Sequence, residues 1–184
     1  MSSEAFIISA VHSPDPPTAI RQAVEDAGIN LSRIQDLLLG TEGASSIPDA
    51  ETIARDAGLI CPSGVVSSSL RAIIFAAQSI LSEDLELVIV LGVDNSSSTA
   101  LLLASPEAVG KWNLSPRARL AARSLAGVDA ALRFTEITAG DVAITKQGKN
   151  GIFLTSELLD ELEAAQAQWG LVMAGMYVVV LERV

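Results

Sequence analysis

The sequence predicts an α/β protein in which buried β-strands alternate with helices. Short runs of β-branched residues or leucine, apolar residues at helical spacing between those runs, and capping or turn residues at the junctions all favour this class. The central segment is residues 65–95, where Val65-Val66 leads into a serine cluster, an apolar helical pattern follows, and a compact apolar run begins near residue 85. This segment therefore predicts a strand, a buried helix and a second strand.

The N-terminal part of the chain repeats the strand and helix pattern. Five strands are predicted there, at residues 5–11, 36–40, 59–67, 85–92 and 96–104. Asp15 and Asp49 stand at capping positions for the helices that follow the first two strands, and Gly28 and Gly58 end those helices. Strands joined through helices pair in parallel with right-handed crossovers, so residues 5–105 predict one layered unit.

The C-terminal part has a weaker pattern. It predicts a strand, a hairpin, a helix and two final strands, at residues 133–138, around 146–149, and at 155–168, 171–175 and 177–183.

Composition restricts the class of function. The 184 residues are 49% hydrophobic, and 12 basic against 22 acidic residues give a net charge of −10, which opposes binding to nucleic acid or to anionic membranes. One Cys and one His argue against a disulfide framework and a structural zinc site, and we expect no cofactor. The N-terminus lacks a signal-peptide pattern and the apolar segment 169–181 is too short to span a bilayer, so we expect a cytoplasmic protein.

Several short motifs occur in the order found in one enzyme family. They are Ser67-Ser68-Ser69-Leu70, Ala76-Ala77-Gln78-Ser79-Ile80, Leu91-Gly92-Val93, Leu114-Ser115-Pro116-Arg117-Ala118-Arg119-Leu120 and Ala126-Gly127-Val128-Asp129. With these motifs the chain resembles the thiolases and ketoacyl synthases, over most of residues 5–128 and again over about 155–184. The resemblance implies a layered α-β-α-β-α fold with a complete N-terminal half, residues 1–106, whose mixed sheet has the order 3-2-1-4-5. Residues 107–184 would form a reduced C-terminal half packed on it as part of one compact unit.

The resemblance also identifies what is missing. The family's nucleophilic Cys would precede Ser67, where this chain has Val66, and a valine side chain cannot carry an acyl group. The family's second Cys would lie in the loop 173–176, and its catalytic His has no counterpart, because His12 is the one histidine. We therefore assign no catalytic residue. Cys61, Ser67 and His12 are the alternatives for a displaced active site.

Two ligand sites follow as hypotheses. Residues near the carboxyl ends of strands 1 and 4 would form a ligand cleft at the start of the central helix, made of Ser67, Ser68, Ser69, His12, Asp94 and Asn95. These residues include the three types that a Ser/His/Asp hydrolase requires, although helix capping and a surface loop explain the same residues. Arg117, Arg119 and Arg123 could bind the phosphates of CoA, although solvated charges or salt bridges are the preferred interpretation of these residues.

The sequence thus favours a non-catalytic, dimeric binding or structural subunit over an enzyme. The edge strand would pair with its twin through Gly64, Val65, Val66 and Ser67, with the loop 41–48 beside it, or with a full-length thiolase or another acyltransferase. The alternatives are a small acyl-CoA-dependent acyltransferase and an acyl-ligand-binding protein that uses the cleft.

Overall fold

The computed structural model describes residues 4–41, 49–94, 96–133 and 135–184. Within these ranges the chain forms nine strands and six α-helices. In chain order they are β1 (Phe6–Ser13), α1 (Pro16–Asp26), β2 (Asp36–Thr41), α2 (Ala50–Ala57), β3 (Ser63–Val66), α3 (Ser69–Leu81), β4 (Leu87–Val93), β5 (Ser98–Ala104), α4 (Pro106–Trp112), β6 (Ala118–Ser124), α5 (Val128–Leu132), β7 (Ile144–Gln147), α6 (Gly151–Ala165), β8 (Trp169–Ala174) and β9 (Tyr177–Arg183). The helices described are too short or too polar to cross a bilayer.

All the strands belong to one mixed sheet with the order β3-β2-β4-β5-β1-β6-β9-β8-β7. The α/β class is confirmed, but the predicted order 3-2-1-4-5 for the first five strands is wrong, because they run 3-2-4-5-1. The two orders differ in the place of β1. Strand β1 does not lie between β2 and β4, because β2 and β4 pair directly with each other in parallel. A tight turn, in which the Asp94 amide donates to the Ser97 carbonyl oxygen at 3.0 Å, returns the chain from β4 as the antiparallel β5, and β1 pairs with the other side of β5.

Helices cover both faces of the sheet. On one face α3 and α6 enclose a core with Leu70, Ile73 and Leu158 in its interior, and on the other α1, α2 and α4 cover the N-terminal strands. A smaller third cluster lies beside α5. Each of α3 and α6 contacts strands of both halves of the sheet, since α3 touches β2 and β9 while α6 touches β4 and β8. The two halves therefore share one core on this face.

Apart from the connecting helix α4, the second half of the chain repeats the first with one strand and one helix fewer. In both halves a helix joins two parallel strands, a short turn follows, and the next strand pairs antiparallel with the first strand of that half. By this comparison β6, β7, β8 and β9 correspond to β1, β3, β4 and β5, and α6 corresponds to α3. The equivalent strands β1 and β6 pair antiparallel at the centre of the sheet, through Phe6 with Arg119 and Ile7 with Ala118. An approximate two-fold relation between the halves follows.

Residues 129–154 differ from the prediction. The described residues of 133–138 contain no strand, and the residues around 146–149 form no hairpin, because β7 connects to β8 through α6 and the two strands are parallel. Helix α6 begins at Gly151 and ends at Ala165, a shift of one turn toward the N-terminus from the predicted helix. Helix α4 was not predicted, and its Ala108 packs into the core beneath the N-terminal strands.

Candidate functional site

The start of α3 is the centre of the candidate site. Val66 is the last residue of β3, and Ser68 occupies the N-cap position of α3 without a side-chain capping bond. Ser67 between them is exposed, whereas Ser69 is fully buried. At Gly40 of β2 an added Cβ would lie 2.4 Å from the Ser69 Cα, so the sheet and the helix approach more closely here than any side chain allows.

The first turns of α3 and α6 meet at this point. The Ile152 amide donates to the Ser69 hydroxyl oxygen at 3.4 Å, and an added Cβ at Gly151 would lie 2.5 Å from the Leu70 Cβ. Asn150 caps α6 by accepting a hydrogen bond from the Phe153 amide at 3.4 Å. Two helix N-termini therefore converge at one end of the sheet.

His12 stands next to this junction and is exposed. Its Nδ1 lies 2.6 Å from the hydroxyl oxygen of the buried Thr99, its partner across the β1–β5 pair. The imidazole ring also lies 5.5 Å from the Phe153 ring, centroid to centroid. His12 and Ser69 thus contact successive residues of α6, but the imidazole is hydrogen-bonded to Thr99 rather than to Ser67, Ser68 or Ser69.

Asp94 is not part of a catalytic relay with His12. Its carboxylate accepts hydrogen bonds from the amides of Ser96 at 2.9 Å and Ser97 at 3.0 Å, within the turn between β4 and β5. The Ser96 amide is the main cause of the lowered pKa of Asp94, and the Ser97 groups add to it. Asn95 lies outside the described residues. The Ser/His/Asp arrangement is therefore not assembled among the described residues.

Cys61 lies before β3, at the opposite end of that strand from the start of α3. Four strand residues separate these ends, which corresponds to about 13 Å at roughly 3.3 Å per residue. Burial raises the pKa of the Cys61 thiol, and the nearby charge of Asp36 raises it further. The thiol is thus the favoured form, whereas a nucleophile must be a thiolate.

The three arginines do not form one phosphate site. Arg117 is paired with Glu163 at 2.7 Å and Asp160 at 2.8 Å, and these contacts, the bond to Glu163 foremost, raise its pKa. Arg119 is paired with Glu4 and Glu182. Burial opposes the charge of Arg119, but the bonds to both carboxylates outweigh it and raise the pKa.

Arg123 differs from the other two arginines. It is half-buried on β6, and burial lowers its pKa. Its β9 neighbour is Val179, which belongs to the core on the α3 and α6 face. Within the described ranges Arg123 has no ion pair.

Sequence reasoning did not identify Thr99, Asn150 and Phe153 as members of the site. Asn150 could have been recognised as the start of α6, because Asn is a preferred N-cap residue and the apolar residues after it continue the spacing of this helix. Thr99 could be found once β5 was placed beside β1, since the two residues are then directly opposed.

Comparison with protein families and with curated proteins identifies no relative. No family model matches the sequence, and no curated protein is significantly similar to it. In the described part of the chain, no group of three or more His, Cys, Asp or Glu side chains could hold a metal ion.

Proposed function

We propose that the protein is a non-catalytic relative of the thiolases that acts as a dimeric binding or structural subunit in the cytoplasm. Two features support the lack of acyl-transfer chemistry. Val66 offers no nucleophilic atom at the start of α3, and Cys61 lies at the far end of β3 with a raised pKa. Thioester chemistry of this kind requires a thiolate to carry the acyl group.

The contacts of α3 and α6 support the layered α-β-α-β-α arrangement that the resemblance implies. Each helix touches strands of the first and the second half of the sheet, as expected when two half-sheets enclose a central helical layer. Because α6 repeats the position of α3, the reduced second half still completes this layer.

The observation that carries the dimer proposal is the free edge of β3. Among the described residues this strand is the last of the sheet, and its residues Ser63–Val66 carry no charge. Val65 has 49% of its surface exposed. Free edges invite pairing with another strand unless charges, proline or a covering element protect them.

The opposite edge of the sheet is protected. Strand β7 contains Lys146, which pairs with Glu157 at 3.6 Å and Glu161 at 2.5 Å on α6. A charged residue in a short edge strand discourages pairing with a second chain. This asymmetry favours β3 as the association surface, through Gly64, Val65, Val66 and Ser67. The loop 42–48, predicted to lie beside this surface, is outside the described residues.

Sedimentation of a lysine variant tests the proposal. Val65→Lys places a charge in the middle of the edge, so we expect a dimer at micromolar concentration in the parent protein and a monomer in the variant. Ile60→Lys is the matched control, because Ile60 is 90% exposed and lies outside β3. We expect this control to remain dimeric. A monomeric parent protein refutes the dimer, and a dimeric Val65→Lys variant refutes its location.

An acyl-CoA-dependent enzyme or acyl-ligand binder is the second candidate, favoured by the exposed Ser67 and His12 at the junction of α3 and α6. Mass spectrometry after incubation with acetyl-CoA separates the two functions. A stable acyl adduct on Cys61 or Ser67 supports an enzyme, whereas a raised melting temperature without an adduct supports a binding protein. A partnership with a full-length thiolase or another acyltransferase would be seen as a complex that contains both this protein and that enzyme.

A further inference from the structure

A groove of about 540 Å³ lies beside the free edge of the sheet. Its lining comes from one side of α3, the residue pair Asp36 and Leu38 on β2, and the turn after α3. The lining residues are Asp36, Leu38, Phe75, Gln78, Ser79, Ser82 and Asp84. An added Cβ at Gly64 would lie 3.6 Å from a Leu38 methyl carbon, so the groove opens next to β3.

The groove has an apolar floor and an acidic rim. Leu38 and Phe75 supply the apolar surface, and the carboxylates of Asp36 and Asp84 supply the charge. Burial raises the pKa of Asp36, because this carboxylate loses water without gaining a cation in the single chain. Ser82 donates to Asp84 at 2.5 Å, and within the described ranges neither carboxylate has an ion pair.

Arg71 lies on the same side of α3, one turn before Phe75. Its guanidinium carbon is 4.8 Å from the Phe75 ring centroid, and its Nε is buried without a hydrogen-bond partner. In the described part of the chain Arg71 also has no ion pair. A buried guanidinium nitrogen without an acceptor is costly, and no described residue of the single chain supplies this arginine with one.

The two features lie at opposite ends of α3. From Arg71 to Ser82 the helix rises by about 16 Å at 1.5 Å per residue. Because α3 connects two parallel strands, it runs antiparallel to β3. Arg71 is therefore near the end of β3, and the acidic rim is near its beginning.

In a dimer whose two-fold axis passes beside the centre of β3, the end of β3 in one subunit lies next to the beginning of β3 in the other. We propose that Arg71 of each subunit enters the groove of the other and pairs with its Asp84 and Asp36 carboxylates, an inference that rests on the proposed dimer through β3. The contact occurs twice, as symmetry requires of an isologous interface. Its self-complementary charge identifies the partner as a second copy of this chain rather than a different protein.

Charge reversal tests the pairing in single and mixed samples. Arg71→Glu sets two carboxylates against each other at both contacts, and Asp84→Arg sets two arginines against each other. We expect each variant alone to dimerise at least about tenfold more weakly than the parent protein. An equimolar mixture of the two variants brings opposite charges together at both contacts, so we expect it to dimerise close to the parent level.

The outcomes separate this inference from the proposed dimer. If Val65→Lys dissociates the dimer while both charge reversals leave it intact, the Arg71 contact is refuted and the β3 interface stands. If the parent protein is monomeric, both fail. If the mixture stays dissociated although each variant alone is weakened, the pairing is refuted. Asp84 is exposed, so the Asp84→Arg result can be interpreted even if Arg71→Glu misfolds. Added salt should also weaken the dimer of the parent protein, because it screens the proposed ion pairs.

Discussion

Replacement of Gly151 by alanine tests the close contact between α3 and α6. The new Cβ would lie 2.5 Å from the Leu70 Cβ and 3.0 Å from the Leu70 Cα, whereas ordinary contacts begin at 3.4 Å. The two helices must then move apart by about 0.9 Å. Overpacking of this kind costs about 1–3 kcal/mol, and the better helix propensity of alanine returns up to about 1 kcal/mol. We expect a net destabilisation of about 1–2 kcal/mol.

The same substitution at Gly110 is the control. Gly110 lies in α4, and an added Cβ there meets nothing within 4 Å. Gly110→Ala should therefore stabilise the protein by about 0.5–1 kcal/mol through helix propensity alone. The same substitution is thus expected to lower the free energy of unfolding at Gly151 and to raise it at Gly110.

Urea unfolding of both variants and the parent protein measures these differences. For a chain of this size, the expected loss in Gly151→Ala corresponds to a melting temperature lower by about 2–8 °C. A Gly151→Ala variant as stable as the parent protein would show that the two helices do not touch at Leu70. Such a result would also remove the geometry on which the candidate site depends.

Two further predictions concern capping residues. Ser105→Ala removes the hydroxyl that accepts from the Ala108 amide at 3.1 Å at the start of α4, and urea unfolding should show a loss of about 1 kcal/mol. No loss would mean that this cap contributes nothing. Asp94 has a lowered pKa because of the Ser96 and Ser97 amides, so its stabilisation is present above the ordinary value of 3.8 and is lost as the pH falls through the lower folded value. Asp94→Asn should therefore be destabilising at pH 7, with a difference that shrinks toward pH 2. A constant difference would contradict this assignment.

The sequence identified the strands of the first half but could not order them. Strands β4 and β5 are buried on both faces, so burial patterns do not reveal which strands are neighbours. The short turn from Asp94 to Ser97 indicates that β5 returns beside β4, and both orders share this pairing. The order implied by the family resemblance placed β1 between β2 and β4, whereas β2 pairs directly with β4 and β1 lies beyond β5. No local pattern in the sequence of β1 indicates which strand it joins.

The elements of residues 129–154 were harder to predict for a physical reason. Helix α5 has five residues, which is too short for a helical repeat to be recognised. Strand β7 has the sequence Ile144–Gln147 and is followed by Gly148 and Lys149, a composition typical of a turn. Tertiary pairing with β8 makes it a strand, and no local preference indicates that pairing.

The internal repeat explains why the site lies where the two halves meet. Because α6 is the equivalent of α3 and the halves are related by an approximate two-fold, the first turns of the two helices approach the same point. The walls of the cleft then come from both halves, with His12 and Ser69 from the first and Phe153 from the second. A fragment that ended at residue 106 would leave Leu70 uncovered and the His12 ring without its aromatic neighbour. The reduced second half is therefore required for the site even though it lacks one strand and one helix of the repeat.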